Sequence, residues 1–234
     1  MNTYYENANG LTVAESAPAD RAAFIRRTYI HLAGAILAFV ALEFFLIASG
    51  VGAVIAQTML SVSWLLVLGA FMGISFLANW WANSSASRPM QYLGLGLYIV
   101  ANAVIFLPLL YVANYTAGGG VILEAGIYTM ALFAALTAIV FLSRKDFSFL
   151  GPILMIGGFL ALGFIATSLL FGFSLGSVFA LVMVAFAAGA ILYDTSNILH
   201  HYRTDQHVAA SLSLFASVAL LFWYILRIFT SSRD

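Results

Sequence analysis

Residues 149–170 read FLGPILMIGGFLALGFIATSLL, a run of 22 residues without one ionisable side chain. A bilayer's hydrocarbon core is about 30 Å thick and a helix rises about 1.5 Å per residue, so roughly 20 apolar residues cross it. Inside lipid each backbone amide must find its partner within the protein, which leaves helices and closed barrels. A barrel strand alternates polar and apolar residues; this run does not, so it is a membrane helix. The same reading extends outward to 29–49, 59–81, 91–112, 121–142, 177–199 and 208–229. The chain is therefore expected to be an all-α membrane protein, a bundle of seven transmembrane helices whose first partner is the lipid bilayer.

Composition agrees. Of 234 residues, 63% are hydrophobic and 8% charged, with a mean hydropathy of +1.02; a soluble domain carries about 25% charged residues. The net charge is zero and no basic run occurs, so nucleic acid is not an expected partner. Cysteine is absent, which excludes disulfides, thiolate metal sites and a cysteine nucleophile. Residues 1–28 are expected to form a disordered tail, 29–230 the transmembrane domain and 231–234 a short second tail. A polar tail precedes the first span, and its apolar run exceeds a signal-peptide core, so it reads as a true helix. Three consecutive glycines, 118–120, mark a flexible loop. Pro152 suits a helix start, whereas Pro108 is expected to kink its span.

The basic residues set the expected orientation. Arg21, Arg26, Arg27, Arg88, Arg144, Lys145 and Arg203 all fall at one end of the bundle, against Arg227 and Arg233 at the other. The N-terminus should be cytoplasmic and the C-terminus outside.

A charge at the bilayer centre costs about 2.5–3.5 kcal/mol on insertion scales, so intramembrane acids are functional candidates by default. This chain has Glu43, Glu124 and Asp194. Asp194 lies near the basic end of span six, followed by Thr195, Ser196 and Asn197. Two readings are open: a carboxylate that bonds locally at the interface, or an inward-facing acid that binds a proton or cation in a helix-lined cavity. Glu124, early in span four, is welcomed there by the helix dipole. Glu43 is deeper and needs a partner or a proton; Arg227, near the same end of the bundle, is the available cation. Asp194 and Arg227 should lie about 20 Å apart in depth. His200, His201 and His207 gather near Asp205 in sequence, where a solvated loop is expected rather than a zinc site. His31 reads as an interfacial residue.

Several activities lack their groups. The only lysine, Lys145, is in a loop, so no Schiff base can form within the bundle. No second depth-matched aspartate accompanies Asp194 for an aspartyl protease. No histidine lies within the deep core to activate a serine, and there is no phosphate-cradling glycine loop. The chain is not expected to be an enzyme, and no cofactor is implied.

Arg27-Thr28-Tyr29, the run 144–151 (RKDFSFLG), the run 189–198 (GAILYDTSNI) and Leu226-Arg227-Ile228-Phe229 carry a likeness that covers nearly the whole chain. On these residues the chain resembles the Bax inhibitor-1 family, and within it the bacterial YccA-like branch. The resemblance implies that the last helix is central and that the protein sits in a bacterial inner membrane. In members that act as pH-sensitive calcium leaks, an acid of span six shares a proton with an acid of span seven as a latch. Asp194 matches the first; the second position falls on Ser217, so that acid is missing. The family's span-two acid is also absent between Trp64 and Met72, whereas Glu124 and Arg227 match family positions. The resemblance implies calcium as a permeant ion that touches Asp194 in passing, with Thr195 and Asn197 in support. It also implies a different role, as substrate and modulator of the membrane protease FtsH.

Overall fold

The computed structural model describes residues 11–84, 87–118 and 120–232. Among these the chain forms eight helices: α1 (Pro18–Ala48), α2 (Val51–Ser61), α3 (Trp64–Ala82), α4 (Arg88–Thr116), α5 (Gly120–Ser143), α6 (Leu150–Phe171), α7 (Gly176–His200) and α8 (His207–Ser231). All except α2 are long and apolar enough to cross a membrane.

The first helix starts 11 residues before the expected Tyr29. Pro18 stands in its first turn, where a missing N–H costs nothing, and Asp20 faces the positive end of the dipole. The polar residues between hide an inward stripe: Phe24 and Thr28 are almost fully buried. Hydropathy alone misses such an amphipathic turn. The expectation of a disordered tail through residue 28 is thus corrected from residue 11 onward; residues 1–10 lie outside the described residues. Residues 11–17 cross the end of the bundle, where Thr12 bridges Arg203. There Val13 is completely buried, and its N–H donates to the Tyr202 carbonyl at 2.8 Å.

A second correction concerns span two, expected over 59–81. Its first residues belong to α2, and Val62 is extended before α3 begins at Trp64. Only Ser61 and Ser63 interrupt the apolar run at this break, with no glycine or proline to mark it as a turn. Gly50, at φ +77°, supplies the left-handed turn that folds α2 back from α1. The next connection is a close one: Gly94 of α4 lies so near α3 that a Cβ would sit 2.5 Å from the Ala78 carbonyl and 2.6 Å from the Ala82 nitrogen. Small residues let backbones approach where lipid offers no hydrophobic drive. Helix α4 continues through Pro108, which is buried.

Helix α8 is central. It packs against α1, α3, α4, α5 and α7, whereas α6 touches only α7 and α3. Accordingly 72% of the apolar window of α8 is buried, against 6% in α6. Leu212, Leu214, Leu221 and Leu226 fill the middle of the bundle.

Candidate functional site around Asp194

Asp194 lies on the last turns of α7, six residues before its end at His200, and only 6% of it is exposed. Facing it on α8 are Ser213 and Ser217, four residues apart and therefore on one helix face. The Ser213 hydroxyl donates to Asp194 Oδ1 at 2.7 Å. That of Ser217 donates to Oδ2 at 2.5 Å. Serine and threonine in helices commonly bond back to the carbonyl four residues earlier; Thr28, Thr129 and Thr230 do so here. Ser213 and Ser217 give their protons to the carboxylate instead, so the pair acts as a bolt between α7 and α8. Among the described residues Asp194 has no cationic partner.

Asp194 and Ser217 are thus brought together. Ser213 went unnoticed, although its spacing from Ser217 was the available signal. Thr195, next to Asp194, lies beside Tyr29 instead, as does Thr137; none of these three hydroxyls closes a hydrogen bond among the described residues. Asn197 lines a cavity of about 430 Å³ at the basic end, with Ser148, Tyr193, His201, Tyr202 and Gln206. Asp194 is not in its wall. Tyr202 stands close enough to feel its charge, and burial with that charge raises the phenol's pKa.

The mouth of this cavity is braced on two sides. Asp146, between α5 and α6, accepts from the Ser148 N–H at 2.8 Å and from Ser196 Oγ at 3.2 Å, and pairs with His201 at 2.9 Å. The Ser148 N–H, helped by the Ser148 and His201 side chains, holds its pKa down to about 2. On the other side Arg21 donates to the Val13 carbonyl at 2.9 Å and also reaches the Ala14 carbonyl, pinning residues 11–17 against Tyr202. Phe24 packs on the Tyr202 ring, with centroids 6.4 Å apart.

The other candidates lie elsewhere. Glu43 is 6% exposed, and neither of its oxygens has a hydrogen-bond partner among the described residues. No ion pair joins it to Arg227 among the described residues, so the pairing that the sequence left open is not made. Glu124 is exposed near the start of α5, and Arg227 is half-buried on α8 beside Tyr224. The histidines separate. His201 joins Asp146, while His200 bonds the Ser196 carbonyl at 2.9 Å. His207 is 2% exposed and packs on His31 at 5.0 Å, contrary to the solvated loop expected for it. His31 also reaches the Tyr92 hydroxyl at 3.1 Å. Among the described residues no three of His, Asp or Glu gather as a metal site.

Residues 21–234 match the family model described as inhibitor of apoptosis-promoting Bax1. The chain is 34% identical over 156 residues to Protein LIFEGUARD 4 of Arabidopsis thaliana, covering 62% of this chain and 60% of that protein. It is 33% identical to an uncharacterized protein of Pseudomonas aeruginosa, over 70% and 72% of the two chains. The longest of these three matches is Bax inhibitor 1 of Schizosaccharomyces pombe, 31% identical over 94% of this chain and 80% of the yeast protein.

Proposed function

The chain belongs to the Bax inhibitor-1 family, and from that membership and the geometry above we propose that it is a cation-responsive membrane protein, a calcium leak closed by the Asp194 bolt. One observation carries this reading: a buried carboxylate near the basic end is held by both oxygens to the central helix. Parting α7 from α8 would free four oxygens, those of Asp194, Ser213 and Ser217, to a passing cation. Four are fewer than the 6–8 that calcium takes, so they suit a transient contact rather than a resident ion. Opening would also disturb Tyr202, which stands close enough to Asp194 to feel its charge and whose carbonyl holds the Val13 N–H. The basic residues support that end as cytoplasmic, with the C-terminus outside, and the Pseudomonas relative is in keeping with a bacterial inner membrane. Thr195, Asn197, Glu124 and Arg227 are supporting polar groups in this scheme.

A second reading, a non-conducting modulator or substrate of an FtsH-type protease, is favoured by two features: the cavity stops short of Asp194, and among the described residues no second acid stands beside it to force the bolt open. Calcium flux into proteoliposomes separates the two. The leak predicts flux through the natural chain that Asp194→Asn abolishes or makes insensitive to pH. Ser217→Asp, which places two carboxylates that share a proton, should steepen the pH dependence. Folded natural protein that passes no more calcium than empty liposomes overturns the leak.

A further inference from the structure

Helices α1 and α5 both pack on α8; toward the basic end they meet through Tyr29 and Phe141, whose ring centroids lie 5.8 Å apart, and toward the other end they part. Between them, floored by α4 and α8, runs a groove of about 960 Å³, at the upper end of the size of small-molecule sites. Its rim is apolar and faces outward: Phe44 is 74% exposed and Leu123 68%. The groove therefore opens sideways to the bilayer. Its floor on α8 is apolar too, formed by Phe215, Val218 and Phe222, and Asn114 of α4 and Thr129 of α5 are the uncharged polar residues in its wall. In this largely apolar wall stands Glu43, which is 94% buried (6% exposed), and among the described residues neither of its carboxyl oxygens is bonded. A buried carboxyl without partners is costly. A ligand that supplies donors at that point, and hydrocarbon everywhere else, removes the cost.

We propose that this groove binds a lipophilic amine, an amphiphile whose ammonium meets Glu43 while its chain lies between α1 and α5. An ammonium fits because it carries three donors and no acceptor, enough for both bare oxygens, and its charge complements the carboxylate. An alcohol offers one donor and no charge. A phospholipid fits poorly: Glu43 lies five residues inside the end of α1, about 7 Å below it, and a phosphate drawn to that depth would meet a like charge. Gly126 keeps the groove wide. It is in the wall, and a Cβ there would meet nothing within 4 Å, so a bulky side chain can be introduced into the groove without disturbing the helices.

Native mass spectrometry of the purified full chain, titrated near neutral pH with oleylamine, oleyl alcohol and oleic acid, tests the assignment. The natural chain should bind one oleylamine, about tenfold or more tighter than the alcohol, as a charge-assisted pair requires. Glu43→Gln should erase that preference while leaving alcohol binding in place. Gly126→Phe, verified as folded by its circular dichroism, should weaken both. Equal binding of amine and alcohol by the natural chain, an amine preference that survives Glu43→Gln, undiminished binding by Gly126→Phe, or no saturable binding by folded natural protein would each overturn it. None of these readouts depends on ion flux, so the leak and the groove stand or fall separately.

Discussion

Each oxygen of Asp194 accepts one serine proton, so losing either serine is costed by the oxygen left bare. Ser217→Ala should destabilise the fold by about 1–3 kcal/mol, the usual penalty for an unsatisfied buried acceptor, and Ser213→Ala by a similar amount. Because both act on one carboxylate, the double variant should depart from additivity. Unfolding of the full chain in mixed micelles measures all three, and a change near zero for both single variants would mean that the bolt holds nothing. Asp146 makes a prediction of opposite location and known sign. Its folded pKa, about 2, lies below the reference of 3.8, so its contribution is present above the reference and lost as pH falls through the folded value. Its side chain is 45% exposed, and solvent screens that contribution. Protection of the Phe147 and Ser148 amides, taken relative to their intrinsic exchange rates, should therefore be high at neutral pH and fall in that acid window. In Asp146→Asn it should be low throughout. At this scale the sequence pointed to Asp194 because a charge at membrane depth is rare. It marked Ser213 only by its spacing of four from Ser217, and it could not point to Asp146, whose chemistry depends on what another helix brings opposite it.

Close approach of two backbones decides the α3–α4 pair. Gly94→Val would place branched carbons where the Ala78 carbonyl and Ala82 nitrogen already sit within 3 Å of a Cβ. Overpacking of this kind costs about 1–3 kcal/mol, and thermal unfolding of the purified chain should register it; an unchanged midpoint would show that α3 slides freely. The segment before α1 behaves as an element of its own, held by Arg21. Arg21→Ala should speed exchange of the Val13 amide, which donates to Tyr202, without altering exchange in the middle of α8. The seven long helices were legible from length and apolarity alone. The early start of α1 and the break before α3 were not. The first is amphipathic rather than uniformly apolar. The second falls at Ser61-Val62-Ser63, where no glycine or proline marks the turn.

Burial differs sharply from helix to helix across the whole molecule, although the apolar windows have nearly the same hydropathy, 2.0 in α8 and 2.3 in α6. Leu221, fully buried in α8, should cost about 2–5 kcal/mol when cut to alanine. Ile156, 59% exposed on α6, should cost less than about 0.5 kcal/mol, because lipid replaces the contacts it loses. Comparable losses in one denaturation series would contradict a central α8. By itself the sequence determined the solvent, the number of membrane helices and which carboxyls are expensive, since bilayer thickness and the cost of burying charge act on each segment separately. Only the tertiary structure decided that Asp194 is satisfied and Glu43 is not. Both are equally buried, but the donors each one meets depend on how neighbouring helices are turned and which of them touch, and no spacing along the chain encodes that.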